Sequence, residues 1–174
     1  MAIKDQFTED EWFLVSSVPG MVGAAVAASG KSGPIGTTKE LVASMAGVME
    51  GRKNYPENEL ITTLLTKAED KQEARATMDA YRDKALEKFK GKSGEELKQQ
   101  ALEDAKRVAE LLSGKLPSQQ VEEYKAWVMA IAKDVANSAK EGGFLGVGGE
   151  RVSGGEQKAL SDIRAALGAS DLSA

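Results

Sequence analysis

WFLVSSVPGMVGAAVAASG, residues 12 to 30, is the only long run of this chain without a charged side chain. Small or apolar residues occupy every side of the run, whereas every other segment carries a single apolar stripe. A helix that is apolar all round belongs inside a protein or a membrane, so its reading decides the fold. Its length suits a membrane span, but its flanks do not. Glu9, Asp10 and Glu11 precede it with only Lys4 as a basic residue before them, which is neither a signal-peptide n-region nor a topogenic basic cluster. Pro19-Gly20 falls in mid-run, and about half of the run is Ala, Gly or Ser. We therefore expect a buried, Ala-rich core helix and no membrane span, with Gly20, Ala24 and Ala28 spaced for close approach of neighbouring helices. A charge placed at Ala24 is expected to be strongly destabilising.

Outward from this run, the chain reads as all-α. Phe7-Thr8-Glu9-Asp10-Glu11-Trp12 is a complete helix start, with Thr8 as N-cap, Glu11 as capping-box partner and Phe7 stapled to Trp12. Met1 to Gln6 reads as a fraying lead-in. Pro19 either kinks one helix or starts a second one capped by Ser17. Thr37 to Glu40 repeats the capping-box spacing ahead of Leu41, Val42, Met45, Val48 and Met49, a stripe expected to stop at Gly51, with Arg52-Lys53 as a turn. Asn54 with Pro56 and Glu57 opens a helix that buries Leu60, Ile61, Leu64, Leu65 and Ala68. The charged segment 70–90 reads as an outer helix.

Gly91 to Glu96 is a turn and cap for a helix that points Leu97, Ala101, Ala105, Val108, Leu111 and Leu112 inward and is closed by Gly114 and Pro117. Ser118 to Glu141 places Val121, Tyr124, Val128, Ile131 and Val135 on a heptad-like seam, the main helix against the central run. Ser153 and Glu156 cap a last helix with Leu160, Ile163 and Leu167 inward and Gly168 at its end. The sum is a single-domain bundle over 1–174 of about seven helices, and 174 residues suffice for such a core without staples.

Composition narrows the chemistry. The chain has no Cys and no His, which removes disulfides, thiolate nucleophiles and the commonest general base and metal ligand. Its 27 acidic and 23 basic residues are well mixed and give a net charge of −4, so no basic face is available for nucleic acid. Ala25 to Ser32 loosely matches a phosphate-binding loop, but the motif requires a strand before it and a helix after it. Here a helix precedes it and Gly33-Pro34 follows. Glu9-Asp10-Glu11 and Glu122-Glu123 are carboxylate clusters placed where a helix dipole favours acids, and Tyr124 with Trp127 could frame a small pocket beside Glu123. No catalytic, cofactor-binding or metal residue is assigned. The candidate interaction loop is Gly143, Phe144, Leu145, Gly146 and Val147, apolar side chains on a glycine-rich backbone. Phe144 and Leu145 are expected to fold back as a plug over the bundle, and otherwise to offer a binding surface.

The Phe7-to-Trp12 start, the Ala-rich run and Gly-Gly-Phe-Leu-Gly-Val-Gly-Gly-Glu-Arg-Val-Ser at 142–153 together resemble a family of small, uncharacterised all-helical bacterial proteins. A more distant likeness, resting on the Ala-rich first helix, is to the helical domains of tellurite-resistance proteins, although the acidic Asp-Gly loop of those domains is missing. Neither resemblance implies an activity, a cofactor or a site residue. The expectation is a non-enzymatic cytoplasmic interaction or scaffold protein that binds a protein partner or itself. The alternative is a binder or enzyme that takes an apolar small ligand or a carboxylate-held metal between helices.

Overall fold

A computed structural model describes residues 2–30, 47–66, 90–138 and 152–169, together with residues 76, 79, 80, 83, 84 and 87. The protein is all-helical, with no strand among the described residues. We number its bounded α-helices in chain order: α1 Glu9–Ala27, α2 Glu59–Leu64, α3 Gly94–Lys115, α4 Ser118–Ser138 and α5 Gly154–Leu167. A 3-10 turn, Ile3–Gln6, precedes α1, and residues 47–54 are also helical. Helix α1 packs against α3, α4 and α5, and Val15, Val18, Val22 and Val26 lie at its buried centre beside Leu60, Val108, Leu112, Ile131, Ile163 and Leu167.

Local chemistry starts the helices where the sequence says it should. The Thr8 amide donates to Glu11 Oε2 at 2.8 Å and the Glu11 amide donates to Thr8 Oγ1 at 3.2 Å, while the Phe7 and Trp12 rings sit 5.7 Å apart. Ser93 with Glu96 and Ser153 with Glu156 form the same reciprocal box. Each box satisfies backbone donors that a helix start leaves unpaired. Gly168 ends α5 in the left-handed conformation at φ 57°, which costs glycine nothing.

Helix α1 continues through Pro19 without interruption, so the proline does not start a second helix and Ser17 is not a cap; the Ser17 hydroxyl donates to the Leu14 carbonyl at 3.1 Å. Proline has no amide hydrogen and therefore leaves the carbonyl four residues earlier, that of Val15, without its helical donor. Tyr124 of α4 supplies the replacement. Its hydroxyl donates to the Val15 carbonyl at 2.7 Å inside the core. Burial pushes that hydroxyl well above its ordinary ionisation range, so it remains a protonated donor.

Several boundaries differ from expectation for identifiable reasons. Ile3 is 2% exposed, so the lead-in is held by the core. Gly51 does not stop its helix, which runs on through Arg52 and Lys53 to residue 54. A Cβ at Gly51 would lie 2.6 Å from Trp127 Cε2, and the Trp127 indole N–H donates to the Gly47 carbonyl at 3.2 Å; the glycine makes room for a ring. Asn58, not Asn54, caps α2, its side chain accepting from the Ile61 amide at 3.0 Å, and α2 ends at Leu64. Gly114 lies within α3, which stops at Leu116 in an extended conformation, as the residue before a proline prefers. Leu97 and Met49, both read as inward, are 37% and 57% exposed. Residues 76, 79, 80, 83, 84 and 87 are helical and lie at or near the surface, in keeping with an outer helix there.

The largest correction concerns α1. It is not surrounded. Trp12, Phe13, Leu14, Val15, Val18, Pro19, Val22, Gly23, Ala25 and Val26 are buried, but Gly20, Ala24 and Ala28 are exposed. Their spacing of four puts them on one outward line. A charge at Ala24 would therefore meet water, and the strong destabilisation expected there does not follow.

Candidate functional site

The candidate loop Gly143, Phe144, Leu145, Gly146 and Val147 lies outside the described residues, as do Lys31 and Ser32 of the loose phosphate motif. What precedes that motif is α1, a helix ending at Ala27, and not the strand that a phosphate loop requires.

The carboxylates and aromatics singled out above are engaged in holding the fold. Glu11 closes the α1 cap and pairs with Lys115 at 3.1 Å. These hydrogen bonds, first to the Thr8 backbone and then to Lys115, hold the Glu11 carboxyl below its usual range. Asp10 pairs with Lys84 at 3.0 Å. Glu123 accepts from Asn58 Nδ2 at 2.8 Å and from Gln119 Nε2 at 3.0 Å. Asn58 also donates to the Gln120 carbonyl at 3.1 Å, so one buried amide caps α2 and ties it to the first turn of α4. Burial and then the Glu123 charge push the neighbouring Tyr55 hydroxyl up. Tyr124 and Trp127 stand edge to face, with centroids 5.7 Å apart, both within the core; they frame no pocket at Glu123. No group of three or more acidic residues among the described residues is placed to hold a metal ion.

Three other features are brought together by the fold. The first is the outward face of α1, Gly20, Ala24 and Ala28 flanked by half-buried Ser17, Met21 and Ala27, all uncharged. Toward the helix start this face meets an open groove of ≈ 870 Å³ lined by Phe13, Leu14 and Leu111 below and by Asp10, Lys84, Glu87, Arg107 and Glu110 around it. Lys84 Nζ lies 5.6 Å from the Phe13 ring centroid, which covers the ring with a cation.

The second feature is a cavity of ≈ 220 Å³ where the end of α1 meets the starts of α3 and α5, with Ala25, Leu102, Ala159 and Ile163 as its apolar part. Its charged residues are paired along their own helices, Lys98 with Glu95 at 3.3 Å and Lys158 with Asp162 at 2.6 Å. Gly155 permits the approach of α5, since a Cβ there would run into the Ser29 carbonyl oxygen. The third is a smaller pocket between α4 and α5 containing Lys125, Lys133 and Arg164.

Only the first of these had a signal in the sequence, the spacing of Gly20, Ala24 and Ala28, and that spacing says nothing of which side faces water. The other two join residues distant in the chain and required the packing. No helix among the described residues is long and apolar enough to cross a membrane. Compared with family models, with curated proteins and with solved structures, the chain matches none.

Proposed function

We propose that the protein is a helical interaction module of the cytoplasm, without a reaction of its own, that self-associates through the outward face of α1. The observation that carries this reading is the exposed, uncharged line Gly20, Ala24 and Ala28 on the most apolar helix of an otherwise charge-rich chain. Small residues let two helix backbones approach closely, and burying them desolvates no charge. A second copy presents the same line, so a twofold contact is self-complementary. The cysteine-free composition suits a reducing compartment.

Size sets a condition on this contact. The uncharged part of the face is roughly 20 Å long and about 10 Å wide, or about 200 Å², against roughly 800 Å² per partner in a stable interface. The contact must therefore extend into the adjoining groove over Phe13 and Leu111. Sedimentation equilibrium over a wide concentration range tests the proposal. The native chain is expected to dimerise reversibly, and Ala24→Arg to remain monomeric with unchanged helical circular dichroism, because Ala24 supports nothing in the monomer core. A native chain that stays monomeric at all concentrations refutes it.

A second reading, a binder of a small ligand between helices, is favoured by the ≈ 220 Å³ cavity at the ends of α1, α3 and α5. Native mass spectrometry with and without EDTA separates the two, since the interaction module carries neither metal nor ligand.

A further inference from the structure

Lys125 is an unusual lysine. It lies in α4 with only 9% of its surface exposed, and its ammonium group donates to Glu122 Oε1 at 2.8 Å. Glu122 is itself half exposed, at 51%, so this carboxylate is shared with water. An ammonium group carries three donors, and a buried cation is stable only when charge and donors are both met.

The surroundings add charge of the same sign. Lys133 is two helical turns further along the same face of α4, and Arg164 approaches from the last turn of α5. The three cations and Glu122 line one pocket floored by Ala126 and Met129. Three cations against one carboxylate stand in contrast with a net charge of −4 for the chain. Lys133 forms no ion pair among the described residues. The pocket's volume, ≈ 50 Å³, exceeds the roughly 30 Å³ share of one water and is far below the roughly 300 Å³ and more of a site for a drug-sized ligand.

We propose that this pocket binds a single tetrahedral oxyanion, a phosphate or a pendant phosphoryl group, with Lys125, Lys133 and Arg164 as its donors and Met129 as its floor. An anion there offsets the mutual repulsion of the three cations and supplies acceptors for the Lys125 donors that Glu122 leaves unused. Its size rules out a nucleotide as the enclosed group. The site lies on α4 and α5, so it stands or falls independently of the α1 face.

The test follows backbone amide resonances of the full chain during titration with inorganic phosphate and, separately, with O-phosphoserine, at constant ionic strength set by chloride. Saturable shifts confined to residues around 125–133 and 164–169 are expected. Binding of both compounds assigns the site to a pendant phosphoryl group, and binding of phosphate alone assigns it to the free ion; either outcome supports the proposal. Lys133→Glu, a change at an exposed position that leaves the core intact, is expected to weaken binding at least tenfold. Glu122→Gln removes the competing carboxylate and is expected to tighten binding several-fold. Shifts that do not saturate, that spread over lysines elsewhere, or that survive Lys133→Glu unchanged overturn the proposal.

Discussion

Tyr124→Phe is the most informative single change, because the bond it removes replaces one that Pro19 makes impossible. The Tyr124 hydroxyl donates to the Val15 carbonyl at 2.7 Å, and no amide at position 19 can take over when it is gone. The phenylalanine ring keeps the shape of the site and the edge-to-face contact with Trp127. What is lost is one buried hydrogen bond, and what is left is an unsatisfied buried carbonyl, together about 1–3 kcal/mol. For a chain of this length the melting temperature should fall by about 2–4 °C per kcal/mol. Pro19→Ala restores an amide donor to the Val15 carbonyl, so in that background Tyr124→Phe should cost about 1 kcal/mol less. Urea denaturation of the four proteins, followed by far-ultraviolet circular dichroism, gives the coupling directly. Effects that add to within about 0.3–0.5 kcal/mol would refute the idea that the tyrosine stands in for the missing amide.

Two further outcomes are expected. Gly51→Ala places a Cβ against the Trp127 ring and should destabilise by about 1–3 kcal/mol through overpacking, with a changed indole fluorescence as Trp127 moves off the Gly47 carbonyl; unchanged fluorescence and midpoint would show that the helices separate there without cost. Burial, and then the neighbouring Glu50 charge, push the Asp134 carboxyl up. A carboxyl raised in the folded state stabilises the fold while protonated and loses that contribution as pH rises through its folded pKa. Asp134→Asn should therefore raise the urea midpoint at neutral pH, with the gain closing at acid pH below the ordinary carboxylate range; a gain that is constant with pH argues against ionisation as its source.

Much of the fold was legible because it rests on short-range chemistry. The Thr8, Ser93 and Ser153 caps, the Phe7 staple, the seam from Val121 to Val135 and the glycine that ends α5 each involve residues within about one or two turns of one another along the chain, and such spacing is visible without a structure. The absence of Cys and His, and the chemistries this removes, is also a property of the chain alone. Of the candidate site residues, Gly143 to Val147 lie outside the described residues, while Glu123, Tyr124 and Trp127 have partners 65, 109 and 80 positions away, which no local pattern reveals.

The tertiary structure decided everything that depends on what stands opposite. An uncharged stretch such as Trp12 to Gly30 determines that a helix is tolerated in apolar surroundings, but its side chains read alike whichever way it is turned; only the packing of α3, α4 and α5 against it put Val15, Val18, Val22 and Val26 inside and Gly20, Ala24 and Ala28 outside. Gly51 reads as a helix stop until Trp127 is placed over it, and Pro19 reads as a break until Tyr124 is found to complete its hydrogen bonding. Propensity and capping act within one or two turns, so the sequence by itself determined where most helices begin. Steric fit and hydrogen-bond satisfaction act across the bundle, so only the assembled helices decided which glycine makes room for a ring, which proline is accommodated and which face of α1 meets water.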